Sequence, residues 1–342
     1  MLDKLGFYTL AGAPKSPVEL LDEIRMAEDL GLGAAFISER FNIKEVATLS
    51  GAAGAVSSKL RIITAATNHN TRHPIVSASY ATTMHFLTGG RFTLGIGRGI
   101  PQLQDAYGMS RITTAQMEDF AQVMRRLWRG ETIVNHDGPI GKFPVLRLDP
   151  EFDEAIPLGL VAFGPNSLAL GGRAFDDVIL HTFFTDETTA NAVKIVKTAA
   201  KEAGRDPDSV RVWSCFATIG DHISEPLRLK KTVGRLSTYL QAYGDLMVRT
   251  NHWDPVVLKN FRADNMVANF AGAIDGQQTT TAQLQHISTL IPEAWLKPSA
   301  TGSVDQCLAA IHNQFNLGCD GVILHGATPT ELSPIVKAYT AS

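Results

Sequence analysis

Five short segments of this 342-residue chain carry side chains able to bind a ligand or move a proton. They are Ser38-Glu39-Arg40, Thr67-Asn68-His69, Gly95-Ile96-Gly97-Arg98-Gly99, Phe163-Gly164-Pro165-Asn166-Ser167 and His181. Each follows a short apolar run that reads as a strand. A carboxylate, an amide or an imidazole at a strand end can orient a ligand or exchange a proton with it. Glu39 is the best-placed lone carboxylate; its other reading is a structural acceptor for Arg40 or for loop amides. Glycines at 95–99 let a flat ring approach the backbone closely. The 163–167 segment joins a strand directly to a helix with Pro165 near its first turn, so its N–H groups and the helix dipole suit an anion. Any one of these residues could be an ordinary loop residue; their clustering at one end of successive strands carries the argument.

Several familiar chemistries do not fit. A dinucleotide fingerprint opens a helix directly, whereas Ile100-Pro101 follows the glycines and Pro101 discourages helix at residue 100. His69 and His73 stand four apart without a Glu at 70, and Pro74 interrupts any helix between them, so the zinc-protease pattern fails and no metal is expected. His73 before Pro74 reads as a structural N-cap, and His85 as a core histidine. No GxSxG elbow is present. The three cysteines, Cys215, Cys307 and Cys319, form no CxxC pair, which points to a reducing, intracellular setting.

The elements that must position these residues alternate along the chain. Strand-like runs at 5–10, 34–38, 60–66, 91–96, 157–162, 177–180, 210–219 and 321–324 each precede a helix-like stretch, at 17–30, 44–57, 75–87, 115–128, 167–174, 187–203, 305–317 and 331–339. Ser16, Pro17 and Glu19 read as the start of the first helix. Eight such units are the number that closes a (β/α)8 TIM barrel, with a doubly wound open sheet as the alternative. Catalytic residues of such barrels sit at the C-terminal ends of the strands, where the five segments fall. The expected organisation is one domain over 1–342 with a helical insertion at about 220–300, before the last helix–strand unit. The insertion reads as a lid, a subunit contact or a plain helical hairpin. Residues 130–153 read as a long turn-rich connection, and 300–303 as a flexible exit from the insertion.

Composition agrees. Hydrophobic residues are 44%, charged residues 19% and the formal net charge −3, which supplies a full core and argues against disorder or general nucleic-acid binding. Neither a signal peptide nor a spanning apolar run is visible, so a cytoplasmic protein acting on a small molecule, away from membranes, is expected.

The stretches Thr71-Arg72-His73-Pro74 and Leu87-Thr88-Gly89-Gly90-Arg91-Phe92-Thr93-Leu94-Gly95-Ile96-Gly97-Arg98-Gly99 resemble the luciferase-like monooxygenase superfamily. Ala27-Glu28-Asp29-Leu30-Gly31 leading to Ala35-Phe36-Ile37-Ser38-Glu39 does too, as do Arg126–Glu131, Gly164-Pro165 before Asp176-Asp177, and Asp305 through Gly326. The likeness spans nearly the whole chain apart from the insertion. It implies a (β/α)8 barrel that binds FMN or the deazaflavin coenzyme F420, and commonly a homodimer. Thr67-Asn68 ahead of Thr71–Pro74 is most similar to the F420-dependent branch, such as methylenetetrahydromethanopterin reductase. That branch implies a non-prolyl cis peptide at Ala65–Ala66 under the ring, and phosphate-binding amides at Phe163–Ser167. It also places a histidine after strand 2 where Arg40 stands, and in its sugar-phosphate dehydrogenases a Glu where Ile100 stands.

The expectation is therefore an F420-dependent oxidoreductase passing a hydride between the deazaflavin C5 and a small organic substrate. Its alternatives are an FMN-dependent monooxygenase and a non-catalytic cofactor-binding barrel. Glu39, Asn68 and His69 are the candidate catalytic contacts. Ser38, Arg40, Ala65, Ala66, Thr67, Gly97, Arg98, Gly99, Phe163, Gly164, Pro165, Asn166, Ser167 and His181 are the candidate cofactor contacts, and Arg40, Lys44, Arg72 and Arg98 the cations available to an acidic cofactor tail.

Overall fold

The computed structural model describes residues 2–342 apart from 13, 42, 149 and 150. Its strands are β1 (Leu2–Tyr8), β2 (Leu32–Ile37), β3 (Arg61–Thr64), β4 (Phe92–Ile96), β5 (Ile133–Gly138), β6 (Gly141–Leu146), β7 (Leu158–Val161), β8 (Asp177–Ile179), β9 (Arg211–Gly220), β10 (Ala300–Gly302) and β11 (Gly321–His325). Eight of them, all but β5, β6 and β10, alternate with helices along the chain as the sequence pattern predicts. Helix starts follow capping chemistry: Thr113 with Gln116, Ser303 with Gln306 and Thr328 with Glu331 each form a reciprocal capping box.

The chain divides into two compact units. One comprises residues 33–179 and 194–213; the other comprises 1–32, 180–193 and 214–342.

In the first unit β2, β3, β4, β7, β8 and the start of β9 pair in that order, all parallel. Buried on both faces, these strands are apolar without alternation: every residue of β2 and of β4 is buried. Phe36 meets Trp213 edge-on at 5.1 Å. At the N-terminal end of the strands lies one fully buried carboxylate, Asp177. It accepts from the Trp213 indole at 2.7 Å, and from Arg61 and Arg211, each at 3.1 Å. A single side chain thus ties β3, β8 and β9 together where no ligand is expected.

The 130–153 connection, expected as turns, contains the antiparallel hairpin β5–β6, with Gly138 paired to Gly141. Residue 100 stays out of the helix as expected of a residue before proline: Ile100 is extended, and Pro101 takes the first position of a short helix, Pro101–Ala106, where its missing N–H costs nothing. The first helix runs Glu19–Asp29, starting later than Pro17; Glu19 still reaches back to the Ser16 amide at 3.1 Å.

In the second unit the strand order is β10-β9-β11-β1. The segment at 300–303, expected as a flexible exit, instead forms β10, parallel to β9 through Ala300 and Thr218. The insertion is helical, chiefly Arg235–Thr250, Pro255–Ala263 and Thr281–Ser288. Trp253 and Trp295 stack there at 4.4 Å and 8°. All three cysteines are buried; burial pushes the Cys215 thiol up to about 12 and the Cys307 thiol up to about 11. Among the described residues no helix is long and apolar enough to cross a membrane.

Replacing Asp177 by Asn leaves Arg61 and Arg211 facing a neutral amide. We expect a loss of about 3 kcal/mol of stability, read as a lower urea midpoint. A loss below about 1 kcal/mol would show that the two guanidiniums are satisfied by water instead.

Candidate functional site

The residues with chemistry in the first unit gather where β2, β3, β4 and β7 end. β3 stops at Thr64, and the bond Ala65–Ala66 is cis, as the sequence resemblance implied. The chain then threads between its neighbours. The Ala65 amide donates to Ile37 O at 2.7 Å, the Thr67 amide to Gly95 O at 3.0 Å, and the Gly97 amide to Thr67 O at 2.9 Å. The Thr64 hydroxyl donates to Gly95 O and accepts from Gly95 N, both at 2.7 Å. A Cβ on Gly95 would sit 1.9 Å from Thr64 O, so this contact requires glycine. A Cβ on Gly97 would lie 3.1 Å from the Ala66 methyl. Ala65, Ala66 and Gly97 therefore form a surface without protruding side chains. Arg98 and Gly99 continue it on an exposed turn, tied down by Gln104, whose Nε2 donates to Arg98 O at 2.6 Å.

Beside this surface is a charged clamp. The Glu39 carboxylate, 5% exposed, accepts from Thr67 Oγ1 at 2.5 Å and from the two Arg72 terminal nitrogens at 3.2 and 2.7 Å. Arg72 also pairs with Glu45, the N-cap of the helix Val46–Val56. Glu39 is thus held by Arg72 and Thr67 rather than by Arg40, which is exposed. Of the four expected cations, Arg72 is committed to these carboxylates and Lys44 is buried. Arg40 and Arg98 remain at the surface, with Arg98 donating to Thr114 Oγ1. Ser38 is half-buried at the end of β2.

Asn68 Oδ1 closes a turn, accepting from the Thr71 amide at 3.0 Å and the Thr71 hydroxyl at 2.8 Å. His69 is 8% exposed, its ring tilted against Phe120 at 5.8 Å, and its Nε2 has no hydrogen-bond partner among the described residues. Burial pushes its pKa down, against the pull of Asp119, so the imidazole is neutral. His73 is the N-cap expected of it, accepting from the Ile75 amide at 3.3 Å.

At the end of β7, Phe163 and Gly164 lead into the helix Pro165–Ala174, whose N-cap Gly164 offers no side-chain cap. Ser167 Oγ turns back to the Phe163 amide at 3.1 Å and to Gly164 O at 2.9 Å. Pro165 and Asn166 are exposed, and nothing lies within 4 Å of where a Gly164 Cβ would be. The first turn therefore presents its amides to open space, which is what an anion site needs.

His181 belongs to the second unit. Its Nδ1–H donates to Thr182 O at 3.0 Å, and its Nε2 accepts from the Tyr243 hydroxyl at 2.8 Å. Burial above all pushes its pKa down to about 4, so it is neutral. Tyr239 packs edge-on at 4.8 Å, and the buried Arg235 lies over Tyr239 while paired with Asp275 at 2.6 Å. The sequence reading did not single out Arg235, Tyr239, Tyr243 or Asp275. The four-residue spacing of 235 and 239 places two of these side chains on one helix face, and Tyr243 follows at a kink where the backbone leaves helical geometry.

A parallel strand–helix fold with its polar groups at the strand ends defines a (β/α)8 barrel enzyme. Comparison with known proteins makes the class specific: the luciferase-like monooxygenase family model matches residues 5–321, and the chain belongs to that family of oxidoreductases. It is 26% identical to the 5,10-methylenetetrahydromethanopterin reductase of Methanolobus tindarius over 316 residues, 91% of each chain. The structure of the coenzyme F420-dependent tetrahydromethanopterin reductase of Methanopyrus kandleri superposes with TM-score 0.81 at 19% identity, covering 98% of both chains. The FMN-bound oxygenating constituent of 3,6-diketocamphane monooxygenase from Pseudomonas putida superposes with TM-score 0.68 at 18% identity, covering 98% of this chain and 96% of that one.

Glu45 yields a pH prediction. Burial opposes its ionisation, but hydrogen bonds from the Thr48 and Ala47 amides and from Arg72 prevail and hold its pKa down at about 2. A folded-state pKa below the unfolded one stabilises at pH above about 4.5, and that contribution disappears as pH falls towards about 2. Glu45→Ala should cost about 1 kcal/mol near neutral pH, and the gap to the parent protein should shrink through that acid window. A gap that stays constant on acidification rejects the role given to the carboxylate.

Proposed function

We propose that this chain is an F420-dependent oxidoreductase that exchanges a hydride with a small organic substrate. One observation carries the reading. The flat surface of Ala65, Ala66 and Gly97 and the open, uncapped helix start at Gly164 stand at the ends of neighbouring strands β3, β4 and β7. A flat ring system bearing a phosphate needs both features together. The relatives add support: the Methanolobus reductase matches over 91% of both chains, and the Methanopyrus reductase is F420-dependent. When bound, F420 supplies a hydride donor and acceptor at C5.

The chain's own residues bind, orient and exchange the proton. Amides of Asn166 and Ser167 hold the phosphate. Ala65, Ala66 and Gly97 would hold the flat ring, with Gly99 and Arg98 beside it. Ser38 and Arg40 border it from the end of β2. Glu39 fixes Thr67 and Arg72 beside the ring as a positioning residue. The Asn68 Nδ2, which has no partner among the described residues, is the donor offered to the ring or the substrate. His69, neutral and with Nε2 unpartnered, is the group assigned to proton exchange. His181 and Tyr243, in the other unit, form a hydrogen-bonded pair of their own.

A second reading, an FMN-dependent monooxygenase, rests on the diketocamphane enzyme, which holds FMN in the same fold. FMN also combines a flat ring with a phosphate. A binding titration of F420 and FMN on the purified protein separates the two. We expect F420 to bind at least about tenfold more tightly, a difference of about 1.4 kcal/mol; tighter FMN binding selects the monooxygenase, and no binding of either discards the cofactor reading.

Two variants test the parts. In Gly164→Val the branched side chain projects over the helix start, so F420 affinity should fall at least about tenfold with the melting temperature unchanged. Unaltered affinity removes the phosphate assignment. In Glu39→Gln, weakening the charge-assisted contacts to Arg72 should cost about 1.5–3 kcal/mol of stability, with F420 affinity within about threefold of the parent. A variant of normal stability that has lost binding or turnover puts the Glu39 carboxylate on the cofactor or the substrate instead.

A further inference from the structure

We propose that a cavity in the helical insertion binds an organic anion with an apolar body: a carboxylate or phosphate ester carried on an acyl or aryl group. The cavity, about 720 Å³, is walled by the helices Arg235–Thr250 and Pro255–Ala263 and the turn between them. That size suits a small molecule. Its floor is apolar: Val248 and Leu258 are buried, and the half-buried Trp253 is held by its stack on Trp295. Its rim is cationic, with Arg249, Lys259 and Arg262 all exposed, and His252 stands exposed beside them.

The one carboxylate on the rim, Asp245, is already neutralised. Its two oxygens accept from Arg262 at 3.1 and 2.8 Å, and that pairing holds its carboxyl below the usual carboxylate range. Among the described residues Arg249 and Lys259 have no ion-pair partner. The helix start at Pro255 does not supply the site, because Asp254 caps it through the Val256 amide at 2.8 Å. Lys259, and Arg249, whose charge reaches Asp245 without an ion pair between them, thus stand over an apolar floor in a chain whose formal charge is −3. A neutral apolar compound leaves the cations unanswered, and an inorganic anion leaves the floor wet. A molecule with both parts answers each: its anionic head pairs with Arg249 and Lys259, and its body displaces water from Val248, Leu258 and Trp253. The inference is independent of the cofactor reading, since every residue it uses lies in the insertion.

Trp253 provides the readout. Trp128, Trp213 and Trp295 are 1%, 1% and 4% exposed, which leaves Trp253 as the indole a ligand can reach. The intact protein is titrated with sodium decanoate, decyl phosphate, 1-decanol and inorganic phosphate below their micelle concentrations, with tryptophan fluorescence followed. We expect a saturable change with decanoate or decyl phosphate, and binding of 1-decanol and inorganic phosphate weaker by about tenfold or more. The tighter of the two amphiphiles identifies the head group. Arg249→Glu combined with Lys259→Glu should weaken that binding by at least about tenfold at an unchanged melting temperature, and Trp253→Phe should remove the signal. The proposal is overturned if 1-decanol binds as tightly as decanoate, or if the double variant binds like the parent. It is equally overturned if the parent shows no response and the double variant changes its sedimentation, which makes this face a contact between copies of the chain.

Discussion

The candidate site depends on one close approach. At Gly95 the backbones of β3 and β4 meet so tightly that a methyl group there would lie 1.9 Å from the Thr64 carbonyl oxygen. With no side chain at 95, the Thr64 hydroxyl satisfies both backbone groups of Gly95. That leaves the chain after β3 free to run close along β4, with Thr67 bonded on both sides to Gly95 and Gly97. Thr67 is then in place to donate to Glu39, and Glu39 to receive Arg72. A bulkier residue at 95 would disturb this series at its origin.

The two ends of the strands in the first unit are built from the same chemistry for opposite purposes. At one end Asp177 gathers an indole and two guanidiniums in a fully buried place and has no exposed face. At the other, Glu39 gathers a guanidinium and a hydroxyl at the strand ends, beside the backbone that follows β3. A carboxylate that is saturated and covered stiffens the sheet; one that is saturated at the edge of a binding surface fixes the geometry of its neighbours.

The alternation of elements was legible in the sequence because apolar runs of four to six residues, such as those of β2 and β4, have no other stable use in a chain of this composition. The glycine positions at the site were legible locally, whereas the unusual bond at Ala65–Ala66 was legible only through the family resemblance. Charge pairing was not. Arg72 and Lys44 read as cations facing a ligand, yet one is spent on Glu39 and Glu45 and the other is buried. Partners thirty-three residues apart leave no periodic trace. The hairpin β5–β6 was missed because Asn135, Asp137, Gly138, Pro139 and Gly141 crowd turn-forming residues into its strands and tip, which mimic a loop. The Arg235–Tyr239–Tyr243 face was missed because it sits in an insertion outside the repeating pattern.

The cysteines have a practical consequence. With every native thiol buried, and those of Cys215 and Cys307 held near 12 and 11, little thiolate exists near neutral pH to react with maleimides or oxidants. A single cysteine introduced on the surface can then carry a fluorophore or spin label on the otherwise native chain. Distances and motions within the insertion become measurable without first removing the native thiols.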